Sequence, residues 1–470
     1  MTNDDSVSLP GHQPRWPRTR GVQASFWYRG VLLRWGGVGV IALLGLSASL
    51  ANAESSPLGS TDAVLKLTLA EAIQAALDQN PTIRIYRERI EAARSAQRTQ
   101  LGALLPNLSS VGKMTNQSFY LGTIGGAPQR TQPFDIVDAR GSFTQSLFSL
   151  SLIERWRASR SVFQATQLES AATENDTVST VALKYYEGLR QEETLRARLA
   201  NLKLYEELVD FIRARYAGGM VTGLDVARLE SELEHERQRV ALTKGDVERA
   251  KLDLLNTLGI GESLEVVLND SLSPFEGPFP NNEQAFELAI RNRPELQMQQ
   301  QRIKSAELSV KSVKGERLPA LSLQGDWGMI GNQSNNTLST YSVGAVLSVP
   351  LWDGGQREGR IGEASSQLNQ EQIRLQLVKN QVSLELREAL VTLKAALEQY
   401  RVAKDGLKAS LTQVSLAQQR IRTLSSTTLE LSNALSALAR ARDNMVDALF
   451  RVNASRVNLA RATGEAKALR

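Results

Sequence analysis

The stretch from Glu363 to Thr463 decides the fold, and its centre reads VSLELREALVTLKAALEQYRVAKDGLKASL from Val382 to Leu411. The whole stretch contains one glycine, Gly406, and no proline. Because residues that break helices are almost absent and good helix formers dominate, we expect long helices here.

Apolar residues in this stretch recur at alternating steps of four and three. The repeating positions are Val382, Leu386, Ala389, Leu393, Ala396, Tyr400, Ala403, Leu407 and Leu411, with Leu390 and Leu397 widening the stripe. A heptad seam of this kind is typical of a coiled coil or a long helical bundle rather than of a compact enzyme core.

The composition of the 470 residues excludes several kinds of site. There is no cysteine, which rules out a thiolate nucleophile, an iron-sulfur centre and a disulfide framework. One of the two histidines, His235, lies in a charged helical stretch, where we expect it to be solvated. The 55 basic residues exceed the 50 acidic ones partly through arginines near the N-terminus, so the charge does not indicate a nucleic-acid partner.

The N-terminal region resembles a secretory signal. A basic segment precedes the short apolar run Val38 to Leu50, which is followed by Ala51-Asn52-Ala53. These features predict a signal peptide over residues 1–53, cleaved before Glu54. This run is too short to span a bilayer as a helix, and the sequence has no run of eighteen apolar residues elsewhere.

Two parts of the chain repeat each other. Several identical residues recur in the two parts, and the number of residues between the two members of a pair is the same for every pair. The pairs are Pro81 with Pro294, Ala72 with Ala285, Ile90 with Ile303, Ala93 with Ala306, Pro106 with Pro319 and Leu108 with Leu321. In each copy a short helix is expected to end at an X-Pro pair and a second helix at a Leu-Pro pair, since proline stops a helix. The repeat predicts a first structural unit over 54–270, a linker over 271–281 and a second unit over 282–470.

Alternating apolar and polar residues predict a strand pair in each copy. Ala320 to Trp327 and Tyr341 to Val349 form the pair in the second copy, separated by a loop from Gly328 to Asn336. The first copy has the segments Asn107 to Thr115 and Val137 to Leu147. The apolar positions in the second pair include Leu321, Leu323, Trp327, Val343 and Leu347.

The apolar face of these strands has two interpretations. It packs on a second sheet in a soluble sandwich, or it faces lipid in a membrane barrel whose polar face lines water. Four strands cannot close a pore alone, so a barrel requires strands from several chains.

Each strand pair leads into a long helical hairpin. In the first copy we expect helices from about Leu152 to Arg215 and from Leu224 to Leu258, joined by a glycine-rich turn. In the second copy we expect helices from Gln356 to about Thr423 and from Leu429 to Thr463. The outbound helices would each be on the order of 90 Å long. Between the copies, Glu265 to Leu268 is a candidate short strand.

In this order of elements the chain resembles the outer membrane factors of the TolC family. The resemblance covers Leu65 to Thr463 and includes the strand exit Leu351-Trp352-Asp353-Gly354-Gly355 and the turn from Arg215 to Val226. It implies a mainly helical homotrimer with a small β part. By the same resemblance we expect long antiparallel helical hairpins to form a periplasmic α-barrel, and four strands from each chain to build a twelve-stranded β-barrel in outer membrane lipid. It also implies a periplasmic adaptor and an inner membrane pump as partners in efflux or type I secretion.

The resemblance assigns roles to residues at the two hairpin ends. Gly219, Met220, Val221 and Thr222 fall on the turn that docks the adaptor, and Asp225 falls on a position that helps to hold a closed gate. Glu430 and Asn433 fall on positions that usually carry acidic constriction residues, and three copies of Glu430 would form a negative ring. The second end departs from the family pattern, because Leu424 or Ser425 replaces a usual glycine and a serine or threonine replaces a usual basic residue.

No motif for bond chemistry accompanies these features. The sequence has no HExxH motif, no phosphate-binding loop and no paired-carboxylate cleft, so we expect neither an enzyme, nor a metal, nor a cofactor. The competing hypothesis is a soluble periplasmic coiled-coil scaffold or adaptor, which would explain the signal and the heptads but not the alternating strands.

Overall fold

The computed structural model describes residues 65–469, apart from 121, 123–124, 126–127, 262–263, 275–280, 334–335 and 424–426. The predicted signal peptide and most of the predicted linker lie outside the described residues. The described part is mainly helical, with a small amount of sheet, as the sequence predicts.

Each half begins with a short helix followed by a longer one. In the first half these are α1 (Leu69–Gln79) and α2 (Pro81–Gly102), and in the second half α5 (Asn282–Asn292) and α6 (Pro294–Gly315). Both second helices start with proline, whose missing N–H is not needed in the first turn. The Thr68 hydroxyl accepts from the Glu71 amide while the Glu71 carboxylate accepts from the Thr68 amide, which fixes the start of α1.

The long hairpins lie where the sequence places them, within two residues at the predicted ends. The first consists of α3 (Leu150–Ala217) and α4 (Gly223–Leu258), and the second of α7 (Gln356–Arg422) and α8 (Thr428–Thr463). At about 1.5 Å per residue, the 68 residues of α3 extend about 100 Å.

Glycines at the ends of the two return helices occupy equivalent positions in the two halves. Gly259 has φ +78°, and a Cβ there would lie 2.9 Å from the Gln79 carbonyl oxygen. Gly464 has φ +80°, and a Cβ there would lie 3.0 Å from the Asn292 carbonyl oxygen. Each glycine therefore lets a return helix end against the break between the short helix and the longer helix at the start of its own half.

The heptad seam of α7 is buried over most of its length. Val382, Leu386, Ala389, Leu393 and Ala396 are all buried, and all but Ala396 belong to one apolar cluster with residues of α5, α6 and α8. The prediction is wrong at the last seam position. Leu411 is exposed, because the buried face of α7 near the turn is formed by the later residues Val414, Ala417 and Ile421.

A small parallel sheet connects the start of the described chain to the region between the halves. The predicted strand near Glu265 is present as β4 (Val266–Leu268), and it pairs with β1 (Leu65–Leu67), which we did not predict. The Tyr185 hydroxyl of α3 donates to the Leu67 carbonyl or to the Asp270 carboxylate, at 2.9 and 2.8 Å, and these contacts fix the small sheet against the long helix.

The larger sheet has four antiparallel strands in the order β2 (Asn107–Gln117), β3 (Phe134–Phe148), β5 (Ala320–Gln333) and β6 (Asn336–Ser348). The two strand pairs therefore join through β3 and β5, one from each half. The strands β2 and β6 form the edges and pair with no further strand among the described residues.

The predicted loop from Gly328 to Asn336 is wrong, because β5 continues to Gln333 and β6 already begins at Asn336. The glycines that suggested a loop are required by close approach of neighbouring strands. A Cβ at Gly328 would lie 2.3 Å from the Ala139 carbonyl oxygen, and one at Gly331 would lie 2.1 Å from the Asn336 carbonyl oxygen.

Among the described helices, none combines the length and the apolar character that a membrane span requires.

Candidate functional site

The ends of the two hairpins pack against each other and form one structural unit. Their shared apolar cluster contains residues from α3, α4, α7 and α8, namely Tyr205, Leu208, Val209, Ile212, Leu229, Leu233, Val414, Ala417, Ile421, Leu431, Ala434, Leu435 and Leu438. We call this set the tip cluster. Because all four long helices contribute to it, a displacement of one hairpin end changes the packing of the other.

The first turn is shaped by two glycines. Gly218 ends α3, Gly219 adopts φ +71°, and the Met220 amide donates to the Arg215 carbonyl at 2.9 Å. Met220 is 56% exposed, whereas Val221 is half-buried and packs against the tip cluster. The predicted docking residues therefore form an exposed turn with a fixed backbone.

Thr222 and Asp225 close this turn with a reciprocal cap at the start of α4. The Thr222 hydroxyl donates to the Asp225 carboxylate at 2.7 Å, and the Thr222 amide donates to the same oxygen at 3.1 Å. The Asp225 amide in turn lies 3.3 Å from the Thr222 hydroxyl oxygen. Such a cap satisfies amide groups that the first turn of a helix leaves without partners.

The surroundings of Asp225 also shift its pKa. The pKa of its carboxyl is lowered because the Thr222 hydroxyl donates to it, and the Thr222 amide, Arg228 and the Thr428 hydroxyl of α8 add to this effect against a smaller opposing effect of burial. Its contribution to stability is therefore present above the ordinary carboxyl pKa of about 3.9 and is lost as the pH falls through the lowered value.

The second turn carries the predicted ring residue Glu430 close to the start of α8. The Glu430 amide lies 3.4 Å from the Thr427 hydroxyl oxygen, which caps the helix. The Glu430 carboxylate accepts from the Arg420 guanidinium of α7 at 2.8 Å. Asn433 is exposed on the same side of α8 as Glu430, three residues further along. Leu424 and Ser425 lie outside the described residues.

Sequence reasoning missed Arg420, which changes the charge expected at this end. The resemblance suggested that the second end lacks a basic residue, yet Arg420 supplies one from the preceding helix. Both side chains of the pair are about half exposed, so the pair contributes little to stability, but it offsets the negative charge of Glu430. The only signal in the sequence was that Arg420 lies before the second turn at about the same distance as Glu430 lies after it.

A layer of charged side chains around the buried Glu236, further along the helices from the turns than the tip cluster, was also missed. Glu236 of α4 is 1% exposed and contacts Arg198 and Arg239 at 3.7 and 3.3 Å. Arg198 further contacts Asp443 of α8 at 2.7 Å, and burial raises the pKa of the Asp443 carboxyl. This layer ties α3, α4 and α8 together where the packing is not apolar.

The four-stranded sheet presents a second candidate surface. Trp327, Val343 and Leu347 are exposed on one face, with Val343 at 75%, while Leu321 and Leu323 of that face are half-buried. Trp327 lies directly opposite Tyr341, and Leu321 opposite Leu347, so the register brings the apolar residues of the two strands together. No described element of the chain covers this face.

The described part of the chain shows no cluster of metal-ligating side chains. It contains no group of three or more histidine, aspartate or glutamate side chains that could hold a metal ion.

Comparison with known proteins identifies the family to which this chain belongs. A family model described as outer membrane efflux protein matches residues 72–260 and 285–465. The outer membrane efflux protein BepC of Brucella suis is 25% identical over 282 residues, which are 59% of this chain and 60% of that protein. The probable efflux pump outer membrane protein TtgC of Pseudomonas putida is 22% identical over 416 residues, 84% of this chain and 82% of TtgC.

Solved structures share the fold. A membrane protein from Pseudomonas aeruginosa has a TM-score of 0.76 at 19% identity, covering 84% of this chain and 93% of that one. The outer membrane protein VceC of Vibrio cholerae has a TM-score of 0.72 at 17% identity, covering 84% of this chain and 96% of VceC.

Proposed function

The chain belongs to the outer membrane efflux protein family and is an outer membrane efflux channel, and from this premise we propose that three copies assemble into one continuous passage. Each chain supplies its four-stranded sheet to a barrel of twelve strands in the outer membrane. The long hairpins of the three chains line a tunnel that extends into the periplasm. Exported solutes move through this passage without any bond being made or broken.

The open edges of the sheet carry this proposal. The edge strands β2 and β6 have 11 and 13 residues, and their outward backbone groups lack strand partners among the described residues. Unpaired backbone groups cost several kcal/mol each in lipid, so a sheet with one apolar face must close in a membrane. Pairing β6 of one chain with β2 of the next removes all edges when three chains form a ring.

The helices also present surface for neighbouring chains. Beside its buried seam, α7 carries a second apolar stripe, which is exposed and consists of Ile373, Leu377, Leu384 and Val391. Three of these residues are spaced by heptads, the interval at which helices of a coiled coil meet. We assign this stripe to contacts between chains in the tunnel wall.

The domain organisation follows the repeat. A cleaved signal over residues 1–53 directs export, the first unit spans 54–270, a linker spans 271–281 and the second unit spans 282–470. Each unit supplies one strand pair and one long hairpin. The signal and most of the linker lie outside the described residues.

We assign the gate to the hairpin ends, where Asp225, Glu430 and Asn433 lie. Three copies of Glu430 place three negative charges at the narrow end of the tunnel, and three copies of Arg420 place three positive charges beside them. The preference of the gate for cations or anions therefore depends on both members of each pair.

Neutralising either member of this pair is expected to change ion selectivity in opposite directions. Glu430→Gln removes three negative charges and lowers the preference for cations, whereas Arg420→Gln removes three positive charges and raises it. Reversal potentials in planar bilayers under a salt gradient measure both effects. Identical reversal potentials for the two variants and the parent protein would remove the pair from the constriction.

We propose that the partners of this channel are a periplasmic adaptor and an inner membrane pump, and the description of TtgC as the outer membrane protein of an efflux pump supports this. We propose that the adaptor docks on the turn Gly219, Met220, Val221 and Thr222. The turn is exposed, its backbone is fixed by Gly219 and the Thr222 cap, and Met220 offers an adaptable apolar contact. Choice of cargo lies with the pump, since the tunnel needs only to accept what the pump delivers.

A charge at the docking turn is expected to abolish most export without affecting assembly. Met220→Asp places a carboxylate in the proposed interface and weakens docking by about tenfold or more. Gln129→Asp adds the same charge at an exposed position in the loop between β2 and β3. This position lies outside the proposed docking turn and serves as the control. The measurement is drug resistance in a host that has the cognate adaptor and pump but lacks other channels. Full resistance with Met220→Asp would contradict docking at this turn.

The alternative, a soluble periplasmic scaffold, leaves the apolar face of the sheet in water. An exposed face of this kind promotes aggregation in a soluble protein. No observation favours the alternative over the channel.

A further inference from the structure

The charged side chains of the four-stranded sheet are concentrated in one band on its polar face. The strands contain five charged residues, Lys113, Asp135, Asp138, Arg140 and Asp326. Asp135 alternates onto the other face and lies near the loop end of β3. The remaining four lie within a few residues of one another along the strands, since Lys113 is opposite Asp138 and Asp326 is opposite Ser142.

Arg140 is held at the centre of this band by two carboxylates. Its Nε donates to Asp138 at 2.7 Å on the same strand, and one of its terminal nitrogens donates to Asp326 at 2.9 Å on the next strand. The side chains of Arg140, Asp138 and Asp326 are 32%, 24% and 26% exposed. This geometry fixes the guanidinium against the sheet.

Gly328 makes room for this arrangement. It lies directly opposite Arg140 on β5, and a Cβ at Gly328 would lie only 2.4 Å from the Arg140 Cα and Cβ atoms. Because no side chain stands there, the Arg140 side chain can extend across β5 to Asp326. The close approach of the β3 and β5 backbones at Gly328 therefore shapes this site together with the charged side chains.

Lys113 differs from Arg140. It is exposed and makes no ion pair with another described residue. The fixed triad of Asp138, Arg140 and Asp326 carries a net charge of about −1 at neutral pH, and Lys113 restores neutrality beside it. The other residues of the polar face are mainly small or uncharged. The net charge of this face is therefore the sum of the charges in the band.

We propose that these four residues form a charge girdle in the lumen of the barrel, which discriminates among solutes by charge independently of the gate at the hairpin ends. This inference rests on the proposed function, because only closure by three chains turns the polar face toward water. Three copies give six positive and six negative charges in one ring. Removing one type of charge then leaves an uncompensated ring of three.

The absence of cysteine makes the girdle testable with a single introduced thiol. Gln324→Cys places the thiol on the polar face, exposed and two residues from Asp326. The probes are a cationic and an anionic methanethiosulfonate of similar size, applied to intact cells, and the ratio of their reaction rates reports the local potential. A change of about 1 kT in that potential changes the ratio about sevenfold.

With this probe, Asp326→Asn is expected to lower the ratio of cationic to anionic reaction rates several-fold, and Lys113→Gln to raise it. Lys113 is exposed and unpaired in the described chain, so Lys113→Gln keeps the test valid if Asp326→Asn fails to assemble. Ratios unchanged in the assembled variants would overturn the girdle.

A second thiol separates failure of the girdle from failure of the channel. Val343→Cys lies on the apolar face, and in a barrel it is covered by lipid and reacts slowly with both charged reagents. If the thiol at 343 reacted rapidly and the one at 324 did not, the assignment of the two faces would be wrong, and both the proposed barrel and the girdle would fall. If the faces are correct but the ratios do not respond to charge, only the girdle is wrong.

Discussion

Val343→Arg is expected to abolish assembly of the protein in the outer membrane. Val343 is 75% exposed near the middle of β6, on the face that we assign to lipid. An arginine near the bilayer midplane on the lipid face of a barrel costs about 2–4 kcal/mol, so three copies in one trimer cost about 6–12 kcal/mol. Quantifying the protein in purified outer membranes, and its heat-resistant oligomer on gels, measures the loss.

The matched control is Ser342→Arg, one residue earlier on the same strand. Ser342 lies opposite Asp326 on the polar face, where an arginine would reach water and a carboxylate. We expect this variant to assemble at close to the parent level. Equal assembly of the two arginine variants would contradict the division of the sheet into a lipid face and a water face.

Leu431→Ala is expected to open the hairpin ends. Leu431 is 2% exposed in the tip cluster, where residues of α3, α7 and α8 meet. Removing a buried leucine side chain costs about 2–5 kcal/mol, depending on how far the cavity collapses. Because the tip cluster holds the two hairpins together, we expect larger single-channel conductance and increased uptake of large antibiotics that the outer membrane normally excludes.

Leu429→Ala removes the same atoms two residues earlier, where the leucine is 48% exposed. Its cost should be a small fraction of that at Leu431, and its conductance should equal that of the parent channel. If Leu431→Ala behaved like Leu429→Ala while the protein still assembled, packing in the tip cluster could not be what restrains the gate.

The long hairpins could be predicted because their signals are local. Gly218 and Gly219 stop α3, Thr222 caps α4, and the four long helices themselves contain no proline. Helix formation depends mostly on near neighbours in sequence, so such signals place the ends well. The short helices follow from the same logic, since Pro81 and Pro294 mark the breaks between them.

The sheet was predicted less completely because pairing depends on distant residues. Gly328 and Gly331 indicated a loop, yet both lie within β5, where close contact with β3 and β6 requires glycine. The strand β1 has only three residues, and its partner Val266–Leu268 lies far along the chain. Alternation alone cannot identify so short a strand.

The candidate gate was only partly accessible from the sequence. The resemblance pointed to Asp225 and Glu430, but the ion pair between Arg420 and Glu430 depends on which sides of α7 and α8 face each other across the turn. Glu236 follows His235 in a charged helical stretch, yet it is only 1% exposed and contacts Arg198 and Arg239. Burial of a charge requires partners from other helices, and these become known only when the helices are packed.

The most direct test of the channel is to determine the mass of the protein purified from outer membranes in detergent and to measure its conductance in a planar bilayer. Our account predicts a particle containing three chains that conducts ions. A particle with a single chain and no conductance would contradict it, because four strands with two open edges cannot enclose a pore.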